Sequence, residues 1–120
     1  MDNKTFFLTF KKRLYSFTLE LLRELDTVPK DNVARRLSDQ LIRSGTSIIA
    51  NFVEGRAASS KKDFINYLNI ALKSANESKL WLSLLKDSNK LKNIQCEKLQ
   101  QELKEISNIL AKSIITLKNK

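Results

Sequence analysis

The stretch RSGTSIIANFVEGRAASSKKDF, residues 43–64, decides the fold, and it holds both glycines of the 120-residue chain. A phosphate-binding loop would need a preceding strand and glycines spaced as GxxxxGK[ST] or GxGxxG. Here the two glycines are ten residues apart and no strand pattern precedes them. Steps of four, three and four instead place several residues of the stretch on one line of a helix. These residues are Ser44, Ile48, Asn51 and Gly55.

The rest of the chain has the composition of a single helical domain. Hydrophobic residues make up 42% and charged residues 29% of the sequence, which is ordinary for a folded protein. The chain contains only one proline and two glycines. Sheets and long loops need such turn residues, so their scarcity predicts an all-α protein built from a few long helices.

Four amphipathic segments follow one another along the chain. The third has the clearest pattern, with apolar or small residues from Phe64 to Leu85 alternating in steps of four and three. Pro29 separates the first two segments, and Ser60 with Asp63 resembles a capping box that begins the third. Short connections make successive helices antiparallel, so we expect one domain, residues 1–120, forming an up-down four-helix bundle. The predicted helices are 4–26, 31–58, 60–88 and 92–118.

Polar groups interrupt the apolar surroundings of the second segment. Asn51 and Glu54 lie among isoleucine, phenylalanine and valine, where an unsatisfied polar group would cost about 1–3 kcal/mol. Arg43 shares the face of Glu54 but stands about 16 Å away along the helix, so a pair between them would have to join two chains. Alternatively, both side chains point into water. The candidate partners for these polar groups are Arg43, Arg56, Asn76 and Glu77.

Residues 43–88 also carry a resemblance to a known family. The pattern Arg-Ser-x-x-Ser-Ile-x-x-Asn-x-x-Glu-Gly, the SKKDF stretch at 60–64 and the later Glu77 resemble the bacterial four-helix bundle proteins encoded in 23S rRNA intervening sequences. The resemblance implies an up-down bundle that assembles as a homopentamer. It also implies kinship with the accessory variability determinant of diversity-generating retroelements, a basic pentamer that binds nucleic acid and a reverse transcriptase.

The matching residues define a polar signature. The resemblance carries no catalytic role for them, so we interpret them as structural or oligomer-interface groups. The signature consists of Arg43, Ser44, Ser47, Asn51, Glu54, Gly55 and Glu77.

The sequence offers little for catalysis. Without histidine there is no imidazole base and no histidine metal ligand. Cys96 is the only cysteine, and we interpret it as a passive thiol. The Glu-x-x-His pairs that hold two metals in some helical bundles do not occur. We therefore expect no enzyme activity, no metal site and no cofactor.

The charge of the chain favours a polyanionic partner. A net charge of +9, from 22 basic and 13 acidic residues, indicates RNA or DNA, although a simply solvated lysine-rich surface is the alternative. By sequence quarters the positive charge is spread along the whole chain. The candidate phosphate-binding residues are Lys11, Lys12, Arg13, Arg35, Arg36, Arg56, Lys61 and Lys62.

Two further function classes stay open. One is a protein-interaction or structural module, such as a reverse-transcriptase accessory, with no nucleic-acid binding of its own. The other is attachment to a membrane surface, which is disfavoured because the bundle needs every apolar stripe. The N-terminal sequence has no secretory pattern and no apolar run is long enough to cross a bilayer, so we expect a cytoplasmic protein.

Overall fold

A computed structural model of the protein describes residues 3–120. Four helices account for most of this part of the chain, which contains no strand. The predicted fold class, an all-α antiparallel up-down four-helix bundle, is confirmed. The helices are α1 (Asn3–Leu25), α2 (Asn32–Arg56), α3 (Lys61–Asp87) and α4 (Asn93–Lys118).

The helix ends follow from local chemistry. The Asp31 carboxylate accepts a hydrogen bond from the Ala34 amide at 2.8 Å and caps α2. The Ser60 hydroxyl accepts one from the Asp63 amide at 3.1 Å, which confirms the predicted cap of α3. Asn89 takes a positive φ of 62° just after α3, a conformation that asparagine tolerates and that lets the chain turn back.

The helices form a ring. Each helix contacts the next one along the chain, and α4 contacts α1 to close the ring. The contact between α2 and α3 is the most extensive and that between α1 and α4 the least. The molecule is elongated, with extents of 47 × 22 × 19 Å. Because successive helices run in opposite directions, α1 and α3 begin at the end where α2 and α4 finish. We call this the α2–α3 end, after the turn of residues 57–60.

The core runs the full length of the bundle. At the α2–α3 end, the Phe7 ring stacks on Phe52 with centroids 4.9 Å apart, and Phe10 meets Phe52 edge-on at 5.0 Å. Further along, α3 and α4 bury apolar residues that recur at steps of three and four. These include Leu68, Ala71, Ala75, Leu82, Leu85, Leu99, Leu103, Ile106 and Leu110.

Both glycines of α2 are buried where another helix comes close. A Cβ atom on Gly45 would overlap the Leu21 side chain of α1. A Cβ atom on Gly55 would lie 2.9 Å from the Tyr67 Cβ and 3.0 Å from the Phe64 ring, both on α3. The small residues therefore admit neighbouring helices, which explains why α2 tolerates two glycines that each cost about 1 kcal/mol of helix propensity.

None of the helices in residues 3–120 combines the length and the apolar character that crossing a membrane requires.

Candidate functional site

The charged part of the polar signature joins α2 to α3. The Arg43 guanidinium donates to the Glu77 carboxylate, and Trp81 Nε1 donates to the same carboxylate oxygen at 2.9 Å. The hydrogen bond from Trp81, followed by that from Arg43, holds the pKa of Glu77 below its usual value. The arginine and the glutamate are 34 residues apart in sequence and belong to one unit in the fold.

Hydroxyl groups continue this polar contact into the bundle. The Ser44 and Ser78 oxygens lie 2.8 Å apart in a buried position, and Ser78 also donates to the Ser74 carbonyl at 2.8 Å. Ser74 donates to Ser47 Oγ at 2.8 Å, and Asn51 Nδ2 donates to the same Ser47 oxygen at 2.9 Å. Because the single proton of Ser78 is used toward Ser74, Ser44 must be the donor to Ser78.

Most of the signature is therefore satisfied within one chain. Arg43 has its partner on α3, so it does not require a Glu54 from another copy. The Glu54 side chain is exposed and makes no hydrogen bond or ion pair with any residue from 3 to 120. Gly55 belongs to the same helix contact, because its missing side chain lets α2 pack against Phe64 and Tyr67 of α3. We call the group that links α2 and α3 the polar seam: Arg43, Ser44, Ser47, Asn51, Ser74, Glu77, Ser78 and Trp81.

Charge is distributed very unevenly between the two halves of the bundle. Divided at the helix midpoints, the half containing the α2–α3 end comprises residues 3–13, 45–73 and 106–120. It holds eleven basic residues and only two acidic ones, Glu54 and Asp63. The opposite half, residues 14–44 and 74–105, holds eleven basic and ten acidic residues. The fold thus concentrates an excess of positive charge that is spread out along the sequence, and we call the first half the basic half.

The predicted phosphate-binding residues do not form one patch. Lys11, Lys12, Arg56, Lys61 and Lys62 lie exposed in the basic half. The remaining three residues are either at the other end of the bundle or already paired with carboxylates.

Arg35 and Arg36 lie near the start of α2, at the far end of the bundle from Lys61. Arg13 is held by two carboxylates, with its Nη2 atom 2.7 Å from Glu102 and 3.0 Å from Glu105. The hydrogen bonds that Arg13 donates to these two glutamates raise the pKa of its guanidinium. Its charge is already compensated within the protein.

Several basic residues of the same half were not among the predicted ones. Lys112, Lys118 and Lys120 belong to the last two turns and the terminus of α4, and Lys4 to the first turn of α1. Residues 106–120 contain no acidic residue, and that local absence is the signal that could have identified them. Their proximity to Arg56 and Lys61 depends on the antiparallel topology.

Reactive groups are scarce in the part of the chain that the structure describes. Cys96 is fully buried, and burial raises the pKa of its thiol, which keeps it protonated and unreactive at neutral pH. Within residues 3–120 no group of three or more cysteine or carboxylate side chains converges as metal ligands. What the geometry brings together is a polar seam, a basic half and a set of exposed apolar side chains.

The fold and the polar seam define a four-helix bundle protein in which a polar network joins the two helices with the most extensive contact. Residues 8–112 match the 23S rRNA-intervening sequence protein family, and the chain belongs to this family. The predicted resemblance is thereby confirmed.

A solved structure supports the same assignment. The chain is 37% identical to a protein of unknown function from the S23 ribosomal protein family of Bacteroides thetaiotaomicron. The match covers 87% of this chain and 96% of that one, with a TM-score of 0.80. No curated protein matches the chain.

Proposed function

We propose that the protein is a non-enzymatic scaffold whose basic half binds the phosphate backbone of nucleic acid. RNA is the first candidate for this nucleic acid. The observation that carries this proposal is the ratio of eleven basic to two acidic residues in that half. Neutralising phosphates with lysine and arginine releases condensed counterions, which drives binding independently of base sequence. RNA takes precedence because the family is named for an intervening sequence of 23S rRNA.

The side chains of the basic half are suited to contacts with a backbone. Lys61 and Lys62 are exposed at the start of α3, and Lys118 is exposed at the end of α4. Lys61 donates to the backbone oxygen of Lys120 at 2.9 Å. Lys62 and Lys118 form no ion pair with a residue in the described range 3–120, so their charges are available to phosphates. By contrast, Lys86 and Lys90 in the other half each face a carboxylate, at 3.9 and 2.9 Å.

A salt titration with matched variants tests this function. Binding of a fluorescent RNA duplex is followed by anisotropy between about 50 and 300 mM salt. The logarithm of the binding constant falls linearly with the logarithm of the salt concentration, and each phosphate contact steepens this fall by about 0.9. The triple variant Lys61→Gln, Lys62→Gln and Lys118→Gln should bind more weakly with a shallower slope. The triple variant Arg35→Gln, Arg36→Gln and Lys92→Gln removes the same charge from the other half and should change binding much less.

Two results would contradict the proposal. Absence of RNA and DNA binding at about 50 mM salt would exclude a phosphate-based function. Equal weakening by the two triple variants would show that only the net charge matters and that the basic half is not the binding face.

We also propose that the protein acts as a homo-oligomer. The family resemblance indicates that this oligomer is a pentamer. The supporting observation is a line of exposed apolar side chains on α1, where Leu8 is 54%, Tyr15 58% and Leu19 36% exposed. Ile42 and Val53 on the neighbouring α2 are each 37% exposed. Such a surface is typical of a protein contact. We call it the outer stripe: Leu8, Tyr15, Leu19, Ile42 and Val53.

Oligomerisation would strengthen weak phosphate contacts by repeating them. Copies joined through one face present several basic halves to a single strand, so that each further contact forms within an already assembled complex. Arg43 and Glu54 are the exposed members of the polar signature and stay candidates for contacts between copies.

The outer stripe also supports a second candidate function, a module that binds another protein. In that case the stripe would contact the partner, and nucleic acid would not bind. The salt titration separates the two functions, because a pure protein-interaction module would show no RNA binding at any salt concentration.

A further inference from the structure

A cavity of about 550 Å³ opens at the α2–α3 end of the bundle. It lies between the first turns of α1, the end of α2, the beginning of α3 and the last turns of α4. Its volume is within the range of about 300–1,000 Å³ typical of pockets that bind small molecules and cofactors. The cavity is therefore large enough to enclose an aromatic ring system together with its polar substituents.

The floor of the cavity is aromatic. Phe6, Phe7 and Phe64 pack against the core but are only partly buried, so ring surface stays accessible on the cavity side. Phe52 is buried beneath them and stacks on Phe7. Because Phe52 is buried and the Phe7 ring is contacted by both Phe52 and Arg56, the rings of Phe6 and Phe64 offer the apolar surface on which a planar ring can stack.

The rim of the cavity is cationic and rich in hydroxyl groups. The Arg56 guanidinium lies 5.1 Å from the centre of the Phe7 ring, which fixes its position at the wall. Lys61 stands nearby and donates to the backbone oxygen of Lys120 at 2.9 Å. Among the described residues no acidic side chain lines the cavity. The hydroxyl groups that line it belong to Ser59, Ser60, Ser113 and Thr116.

We propose that this cavity binds one unpaired nucleotide of a bound nucleic-acid strand, a refinement that rests on the proposed function. The base stacks among the phenylalanines, its polar edge meets the hydroxyl groups, and its phosphate lies on Arg56 and Lys61. Stacking of bases on aromatic side chains beside arginine is how proteins commonly hold single-stranded nucleic acid. The cavity lies within the basic half, so a strand drawn there by charge reaches it directly.

Three RNA ligands of one duplex sequence test this inference. The first is blunt, the second carries a short unpaired overhang, and the third carries an overhang of the same length with abasic sugars. The two overhangs have equal phosphate charge and differ only in their bases. We expect the base-bearing overhang to bind between about fivefold and about a hundredfold more tightly than the abasic one, as one stacked base provides.

Variants that fill the cavity should remove this preference. Thr116→Trp and Ser59→Trp each place a large ring at the rim, from the exposed face of α4 and from the α2–α3 turn respectively. Both should bind the base-bearing and abasic overhangs equally, while binding of the blunt duplex is unchanged. Thr9→Trp is the matched control, because Thr9 is exposed on α1 and does not line the cavity. Thermal melting by circular dichroism verifies that each variant is folded.

The outcomes separate this inference from the function on which it rests. If no RNA ligand binds, the proposed function itself is wrong. If the blunt duplex binds but the wild type does not distinguish bases from abasic sugars, the phosphate-binding function holds and the cavity assignment is overturned. If uridine monophosphate displaces the overhang ligand at equal concentration, the cavity binds a free nucleotide and the assignment to a strand is overturned.

Discussion

Arg43 of α2 and Glu77 of α3 form an ion pair inside a single chain, and the same carboxylate accepts a hydrogen bond from Trp81. Arg43 is 61% exposed at its side chain and Glu77 is 35% exposed, so the pair lies at the surface of the most extensive helix contact. Two pieces of the polar signature that are far apart in sequence thus act together to align α2 with α3.

This ion pair should make stability depend on pH. The pKa of Glu77 in the folded protein lies below its usual value near 4.5, so its contribution is complete above about pH 4.5 and is lost as the pH falls through the lowered pKa. Glu77→Gln should therefore lower Tm at about pH 7, and the difference from the wild type should shrink at about pH 3. Asp39→Asn is the control, because Asp39 is exposed and forms no ion pair with a residue in the range 3–120, and it should leave Tm unchanged at about pH 7. If Glu77→Gln lowered Tm by the same amount at both pH values, the lowered pKa of Glu77 would be contradicted.

The buried serine pair predicts an asymmetric response to mutation. Ser78→Ala removes the acceptor of the Ser44 hydroxyl proton, leaving only a long contact of 3.4 Å to the Leu41 carbonyl, and should cost about 1–3 kcal/mol. Ser44→Ala should cost less, since Ser78 keeps its bond to Ser74. The double variant should cost less than the sum of the two. Urea unfolding measures all three, and strict additivity would show that the two hydroxyl groups do not interact.

The close approach at Gly55 predicts that alanine is unfavourable there. In an exposed helical position, Gly→Ala stabilises by about 1 kcal/mol. At Gly55 the added methyl group meets Tyr67 Cβ, an atom fixed to the backbone, so overpacking of about 1–3 kcal/mol should prevail. Gly45→Ala meets the end of the flexible Leu21 side chain and should be less harmful. A more stable Gly55→Ala protein in urea unfolding would contradict the close contact between α2 and α3 at this position.

The outer stripe predicts where assembly can be broken. Replacing Leu8 and Tyr15 together by glutamate puts charge into an apolar contact and should reduce the mass in solution to that of a monomer, measured by light scattering. Ile94→Glu is the matched control, because Ile94 is 73% exposed at the start of α4 and lies outside the stripe. A wild-type mass of one chain, or an unchanged mass for the double variant, would exclude the stripe as the interface.

The fold could be predicted because its signals are local. The apolar and small residues that recur from Phe64 to Leu85 determine the buried face of α3, and the Ser60–Asp63 cap determines where that helix begins. Both depend on spacings within one helix, which the sequence displays directly. The two glycines of α2 are a further local signal, because the cost of glycine within a helix points to close contacts such as those at Gly45 and Gly55.

The site was harder to predict because it depends on distances between helices. Arg43 meets Glu77 only because the turn of residues 57–60 sets the register of α2 against α3. The even spread of charge along the sequence also concealed the basic half, since each helix contributes to both ends of the bundle. Arg35 and Lys61 looked alike as basic residues, yet the topology places them at opposite ends.

The unequal charge of the two halves makes the molecule an electric dipole along its 47 Å axis. The dipoles of antiparallel helices largely cancel, so this polarity arises mainly from the charged side chains. In the field of a polyanion such a rod experiences a torque and turns its positive pole forward before any contact forms. The cavity lies at that pole, and long-range attraction would therefore present its mouth to the strand first.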